Sequence, residues 1–225
     1  MFGTGTSSSE CIDLLTASSG HSASLRRKIR RIEEVIIRID NAKLRTNVEQ
    51  MAALLASEAS VGHVRPLVKT TLVHNVHARS EFVQYDKHFA FECDESDGRA
   101  GDSQAPSPLR YFLSSIAFCL QVWFAKGAAL ADVEVMDLEI DVQTYMDMRG
   151  EHRVGDTPPH PQWIMVQARV SSPSSTEAVL RMAEEANARC PVTTLVARAV
   201  PIYEQISLNG ELIRDTVPEP LLGRT

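Results

Sequence analysis

Apolar residues recur at three- and four-residue steps between Ser24 and Ser57, first as Leu25, Ile29, Ile32, Ile36 and Ile39, then as Leu44, Val48, Met51 and Leu55. That period predicts two helices, or one bent helix, broken near Asp40-Asn41. Past Gly62 the pattern changes. Val68-Lys-Thr-Thr-Leu-Val-His-Asn-Val76 and Phe82-Val-Gln-Tyr-Asp-Lys-His-Phe-Ala-Phe91 have strand composition, with a turn expected around His77 to Ser80. Gly98 to Gln104 reads as a turn-rich loop. Ser107-Pro108 is a helix start, with Ser as N-cap and Pro at the first helical position. The helix predicted from Pro108 to about Ala131 is apolar nearly all round between Phe112 and Phe124, so it must be enclosed on most sides. Val133 to Met148 alternates as a long strand, Asp156-Thr-Pro-Pro-His-Pro161 is a loop, and Trp163 to Val170 is the return strand. Ser174-Ser-Thr-Glu177 has the form of a capping box ahead of a further helix, and Val200 to Leu208 is a final strand ending at Asn209-Gly210. Strands, helix, hairpin, helix and strand in that order make an α+β fold, since the regular alternation of a parallel sheet is missing.

This pattern divides the chain into a Ser-, Thr- and Gly-rich tail (residues 1–22), a helical extension (23–62) and a main domain (63–225). The extension carries a basic cluster, Arg26, Arg27, Lys28, Arg30 and Arg31, but Glu33 and Glu34 follow at once, which describes a solvated helix face. Its apolar stripe needs a cover, either the main domain or a second subunit. At 225 residues, 44% hydrophobic and a net charge of −6, the composition is that of an ordinary globular protein with no basic excess to recruit nucleic acid. The uncharged run Tyr111 to Ala125 is too short to span a bilayer and carries Ser114, Ser115 and Gln121, so no membrane partner is expected. No signal-type N-terminus is visible. A reducing cytoplasm is therefore expected, where Cys11, Cys93, Cys119 and Cys190 are free or catalytic rather than a disulfide framework.

Chemistry concentrates at two thiols. Cys119 lies within the apolar helix, and Cys190 heads the Pro-started turn Cys190-Pro-Val-Thr-Thr194. Taken singly, a cysteine in an apolar helix is a small hydrophobe that packs and does nothing. Other candidates carry less. His74 and His77, three apart on one strand, would point to opposite faces, so no metal site is expected. Cys93 stands among Glu92, Asp94 and Glu95, where negative charge disfavours a thiolate. There is no Gly-rich phosphate loop and no nucleophile-elbow pattern, and no cofactor is expected.

From about Val68 to Ile213 the order of features resembles the OsmC/Ohr family of organic-hydroperoxide-reducing proteins and their relatives. Phe91-Glu-Cys-Asp-Glu-Ser-Asp97 with Gly98, Gly101 and Ala105-Pro-Ser-Pro108 is similar to that family's acidic loop and helix start. Leu113 to Phe124 resembles its first central helix, with Cys119 at the thiol position. Met146-Asp-Met-Arg-Gly150 and Trp163-Ile-Met-Val-Gln-Ala-Arg-Val170 resemble its long hairpin, and Ala183-Glu-Glu-Ala-Asn-Ala-Arg-Cys-Pro-Val192 its second helix and resolving cysteine. The resemblance implies an OsmC-like fold and an intertwined homodimer whose two central helices lie between mostly antiparallel sheets. It also implies a peroxidatic Cys119, a resolving Cys190, and reduction by an external dithiol or lipoylated protein. In the family an arginine ionises the thiol and is held by an acidic residue just after the helix-starting proline. Here those positions are Leu109 and Arg110, so the acidic partner is missing. Arg79 sits near the place of the activating arginine, in the turn expected between the first two strands. Arg110 is a second candidate, but nine residues of helix, about 13 Å of rise, separate it from Cys119.

Two functions follow. One is a stress-response enzyme that reduces organic hydroperoxides, with Tyr111, Phe112, Phe118 and Trp123 forming an apolar pocket. The other is an accessory or binding protein of the same fold that holds a small hydrophobic ligand and lacks peroxidase activity. A guanidinium near the Cys119 sulfur, together with two sulfurs near bonding distance, would separate them.

Overall fold

The structure, a computed structural model, describes residues 39–64, 66–198 and 201–218. The tail expected at residues 1–22 and the first half of the helical extension lie outside the described residues. Helix α1 (Asn41–Ser57) begins where the apolar period predicts a break. Asp40 is its N-cap, and the Asp40 carboxylate accepts the Lys43 N–H at 2.9 Å. A three-stranded antiparallel sheet follows, β1 (Lys69–His74), β2 (His77–Gln84) and β3 (Lys87–Cys93), in the order β1-β2-β3.

This sheet corrects the expectation of two strands. His77 to Ser80 is not a turn but the first half of β2. The chain reverses instead at Asn75, with φ of 45°, and at Tyr85 and Asp86, with φ of 55° and 56°. Positive φ suits Asn and Asp, whereas Tyr seldom adopts it, so the sequence gives no warning of the second turn. The same reversal pairs His74 with His77 directly across the hairpin, rather than on opposite faces of one strand.

Helix α2 (Pro108–Ala131) is the spine. Ser107 and Pro108 stand at its start as expected, and Asp132, in left-handed conformation, ends it. Its 24 residues are long and apolar enough to cross a membrane by length and composition. One face is nevertheless locked into the core, with Ile116, Leu120, Phe124, Ala128 and Ala129 almost completely buried. Against it packs helix α3 (Thr176–Arg189), which ends at Cys190 because the next residue is Pro191. The short helix α4 (Pro191–Val196) begins there. The N-cap of α3 is Ser175, whose hydroxyl accepts the Ala178 N–H, one position beyond the expected box. Ser174 instead receives the Glu134 N–H.

The second sheet has the order β4-β5-β6-β7, formed by β4 (Asp137–Tyr145), β5 (Trp163–Ser171), β6 (Ile202–Leu208) and β7 (Glu211–Asp215). β5 and β6 are parallel, linked by the α3–α4 crossover, and the other pairs are antiparallel. β5 is the most buried strand, with Trp163 to Val166, Ala168 and Val170 all inside. β4 is shorter than the alternation of Val133 to Met148 suggests, and β7, beyond the Asn209-Gly210 turn, was not expected. The result is an α+β architecture of helices on mostly antiparallel sheets.

Candidate functional site: a thiol pair between two helices

Two local devices bring the cysteines together. Cys119 is midway along α2, on the edge between the buried stripe of Ile116 and Leu120 and the open stripe of Phe118 and Val122. Cys190 is at once the last cap of α3 and the N-cap of α4. Its own N–H reaches the Ala186 carbonyl, while its sulfur accepts the Thr193 N–H at 3.5 Å. The two sulfurs lie 2.8 Å apart, with the Cys190 thiol directed at Cys119. A disulfide bond is about 2.05 Å long, so oxidation would close one with little helix movement. Cys190 is completely buried and Cys119 is half-buried, so an outside reagent meets Cys119 first.

The electrostatics oppose ionisation of that thiol. Burial, together with the hydrogen bond shared with Cys190, pushes Cys119 up to about 11. Two groups pull the other way: the Val192 N–H at the start of α4, and the ammonium of Lys126. Lys126 lies one stripe further along α2, with Nζ 4.7 Å from the centroid of the Trp123 ring. Cys119, Trp123 and Lys126 follow a single line along the helix, a spacing that the sequence carries without marking its consequence.

Neither expected arginine is among the groups that act on the Cys119 thiol in this chain. Arg79 is on β2, not in a turn. Its Nε donates to Glu81 at 2.7 Å and its Nη1 lies 3.5 Å from Glu92. It lines a cleft of about 380 Å³ with Phe91, Glu92, Pro106 and Tyr111, and the Tyr111 hydroxyl donates to the Glu92 carbonyl. Arg110 is exposed and lines a different cleft, of about 360 Å³, with Glu95, Arg99 and Thr144. Of the expected pocket residues, Tyr111 belongs with Arg79. Trp123 is beneath Lys126, and Phe112 and Phe118 face outward from α2. Among the described residues four clefts stand out, and Cys119 lines none of these four. Cys93 is half-buried at the end of β3.

The acidic loop ahead of α2 is built around a carboxylate. Asp94 is buried and accepts the N–H groups of Glu95, Asp102 and Gln104 at 2.8, 3.1 and 3.0 Å, which hold it below the usual carboxylate range. Gly101 is required there, because a Cβ would stand 2.0 Å from the Glu95 carbonyl oxygen. Arg99 clamps this loop to the β4–β5 connection by donating two hydrogen bonds to Glu151, at 2.5 and 3.2 Å. Among the described residues no group of His, Cys, Asp and Glu is arranged to hold a metal ion.

Residues 101–205, from the acidic loop through α2, both cysteines and β6, match the family model for OsmC-like proteins. Over that segment, a little under half of its length, the chain is similar to the OsmC-like family. Solved structures agree on the fold. An OsmC-like protein from Mycoplasma pneumoniae is similar over 64% of this chain and 97% of its own, at 14% identity and a TM-score of 0.53. An OsmC-like protein of unknown function from Vibrio cholerae covers 64% and 99%, at 11% identity and a TM-score of 0.52. A hypothetical protein from Aquifex aeolicus covers 65% and 98%, at 14% identity and a TM-score of 0.51. No curated protein matches the sequence. Helix α1 precedes the matched segment and packs onto it. Arg45 donates to the Ala129 carbonyl and to Asp132, and Asn41 to the Val133 carbonyl.

Proposed function

We propose that the chain reduces organic hydroperoxides through its thiol pair, with Cys119 attacking and Cys190 resolving, and that it works as a homodimer. The observation that carries this reading is the 2.8 Å contact between a half-buried thiol and a fully buried one in an OsmC-like fold. The Cys119 thiolate attacks the terminal oxygen of the hydroperoxide. The O–O bond breaks, the alkoxide takes a proton and leaves as the alcohol, and Cys119 becomes a sulfenic acid. Cys190 sulfur then displaces that hydroxyl, releasing water and forming the Cys119–Cys190 disulfide. An external dithiol, free or carried on a lipoylated protein, returns both thiols by two exchange steps and is itself oxidised to a disulfide.

The exposed Phe118 and Val122 beside Cys119 suit an alkyl or aryl hydroperoxide better than hydrogen peroxide. In the homodimer this apolar face would be covered, which would complete a pocket that one chain leaves open. Arg79 is proposed as a residue of that completed site, its guanidinium oriented by Glu81 and Glu92 in place of the carboxylate missing after Pro108. Arg110 is the lesser candidate, at the mouth of its own cleft.

A second reading has its own support. With Cys119 pushed up to about 11 and no guanidinium among the described residues acting on it, an accessory protein holding a small hydrophobic ligand would need no further group. Single-turnover kinetics with cumene hydroperoxide distinguish the two. Cys119→Ser is expected to abolish peroxide consumption. Cys190→Ser is expected to give one turnover and accumulate a sulfenic acid that a dimedone-type reagent traps. Reduced wild-type protein that loses no thiol to peroxide, and does not turn over with a lipoyl-type dithiol, would establish the binding reading instead.

A further inference from the structure

We propose that Lys126 supplies the positive charge that opposes burial at Cys119 and lowers the pKa of that thiol within its own chain. The inference rests on Cys119 being the attacking thiol, and it concerns how that thiolate is made. Three observations point to the residue. Cys119, Trp123 and Lys126 are spaced i, i+4 and i+7 along α2, which places them on one line of the helix surface. The ammonium is fixed over the Trp123 ring at 4.7 Å by cation–π attraction, which holds a flexible side chain on that line. Lastly, Lys126 takes part in none of the ion pairs among the described residues, so none of those residues neutralises its charge.

The charged groups on elements packed against α2 are, by contrast, mostly paired. On α1, Arg45 meets Asp132. On α3, Arg189 meets Glu185, Glu184 meets Arg214, and Glu177 is drawn to Arg181. On β4, Glu139 and Asp141 both hold Arg169. The remaining charges on those elements are Lys43 and Glu49 of α1 and Asp137 of β4, while α4 has none. Arg79 is engaged by two carboxylates. The other titrating group at the thiol is Cys190, which opposes ionisation. Seven residues of helix set the ammonium about 10 Å from the sulfur along the axis. At an effective dielectric of about 20, one unit charge at that distance moves a pKa by about one unit.

The test is the pH dependence of Cys119 alkylation by iodoacetamide, read by mass spectrometry on the Cys119 peptide, in a Cys190→Ser background so that one thiol of the pair titrates. Lys126→Met is expected to raise the midpoint by about one pH unit, and Lys126→Arg to restore it. High salt is expected to raise the midpoint of the lysine protein and to leave that of the methionine variant nearly fixed. An unmoved midpoint in Lys126→Met, or equal shifts in the Met and Arg variants, would overturn the proposal. Alkylation does not involve peroxide. A Lys126-dependent midpoint in a protein with no peroxidase activity would therefore sustain this inference while removing the enzymatic reading, and the reverse pattern would do the opposite.

Discussion

Cys119 carries an opposition between burial and reactivity that has a measurable consequence for folding. In the unfolded chain its thiol titrates at the ordinary value, near 9, and in the folded protein at about 11. A raised folded pKa means that the native state holds the proton more tightly. The contribution to stability is therefore complete below pH 9 and is lost as pH rises towards 11. Because the thiol is only half-buried, solvent screening reduces the effect to about 1 kcal/mol. Urea unfolding between pH 8 and 11 is expected to show this decline in wild type and a flatter profile in Cys119→Ser. At this scale the two cysteines were legible, since a thiol in an apolar helix and a Cys-Pro turn are visible as residue types. Arg79 was misplaced because its position depended on a turn at Tyr85-Asp86 that no residue preference announces. Lys126 carries no such mark, because a single lysine in an apolar helix reads as a side chain that lifts its charge to solvent.

Among the elements, the alignment of the thiols depends on how closely α2 and α3 approach. Gly127 marks the contact, since a Cβ there would stand 2.8 Å from the Met182 carbonyl oxygen, a backbone atom that cannot step aside. Gly127→Val should force the helices apart at a cost of about 1–3 kcal/mol. It should also slow disulfide closure by diamide, which a change remote from the α2–α3 contact would not do. A second device works at the far end of α2. The Arg45 guanidinium of α1 donates to the Ala129 carbonyl through Nε at 2.8 Å and to Asp132 at 3.0 Å, placing a cation at the negative end of the helix. Arg45→Ala should lower stability by about 1–2 kcal/mol in urea titrations, given the usual worth of charged hydrogen bonds at a part-exposed site. Helices were read well from the sequence, because Asp40, Ser107-Pro108 and Pro191 mark their ends chemically. Strands were read less well. β7 is five residues long with two charges at its ends, and the first sheet leaves most of its side chains in solvent, so neither has the alternation that burial imposes.

For the whole molecule, the distribution of apolar surface argues for association with a second copy. The outward stripe of α2 leaves Phe118 66% and Val122 52% exposed, next to the Cys119 thiol. The first sheet exposes Leu72, Val83, Phe89 and Phe91 as well. Large apolar side chains gathered on a central helix and a neighbouring sheet exceed what a monomer ordinarily leaves uncovered. Among the described residues, the enclosure expected of a helix apolar on nearly all sides is supplied on one side only. A partner covering the other side would bury more than about 2,000 Å² in total, the range of obligate dimers. Sedimentation velocity at micromolar concentration is expected to show a dimer. Phe118→Asp would set a carboxylate at the centre of the apolar stripe, where its desolvation would oppose association, and should shift the protein to monomer. If the dimer completes the site, the same variant should lose peroxide turnover while both thiols still form their disulfide with diamide. A stable, folded wild-type monomer at that concentration would show that the exposed face serves something other than a second copy.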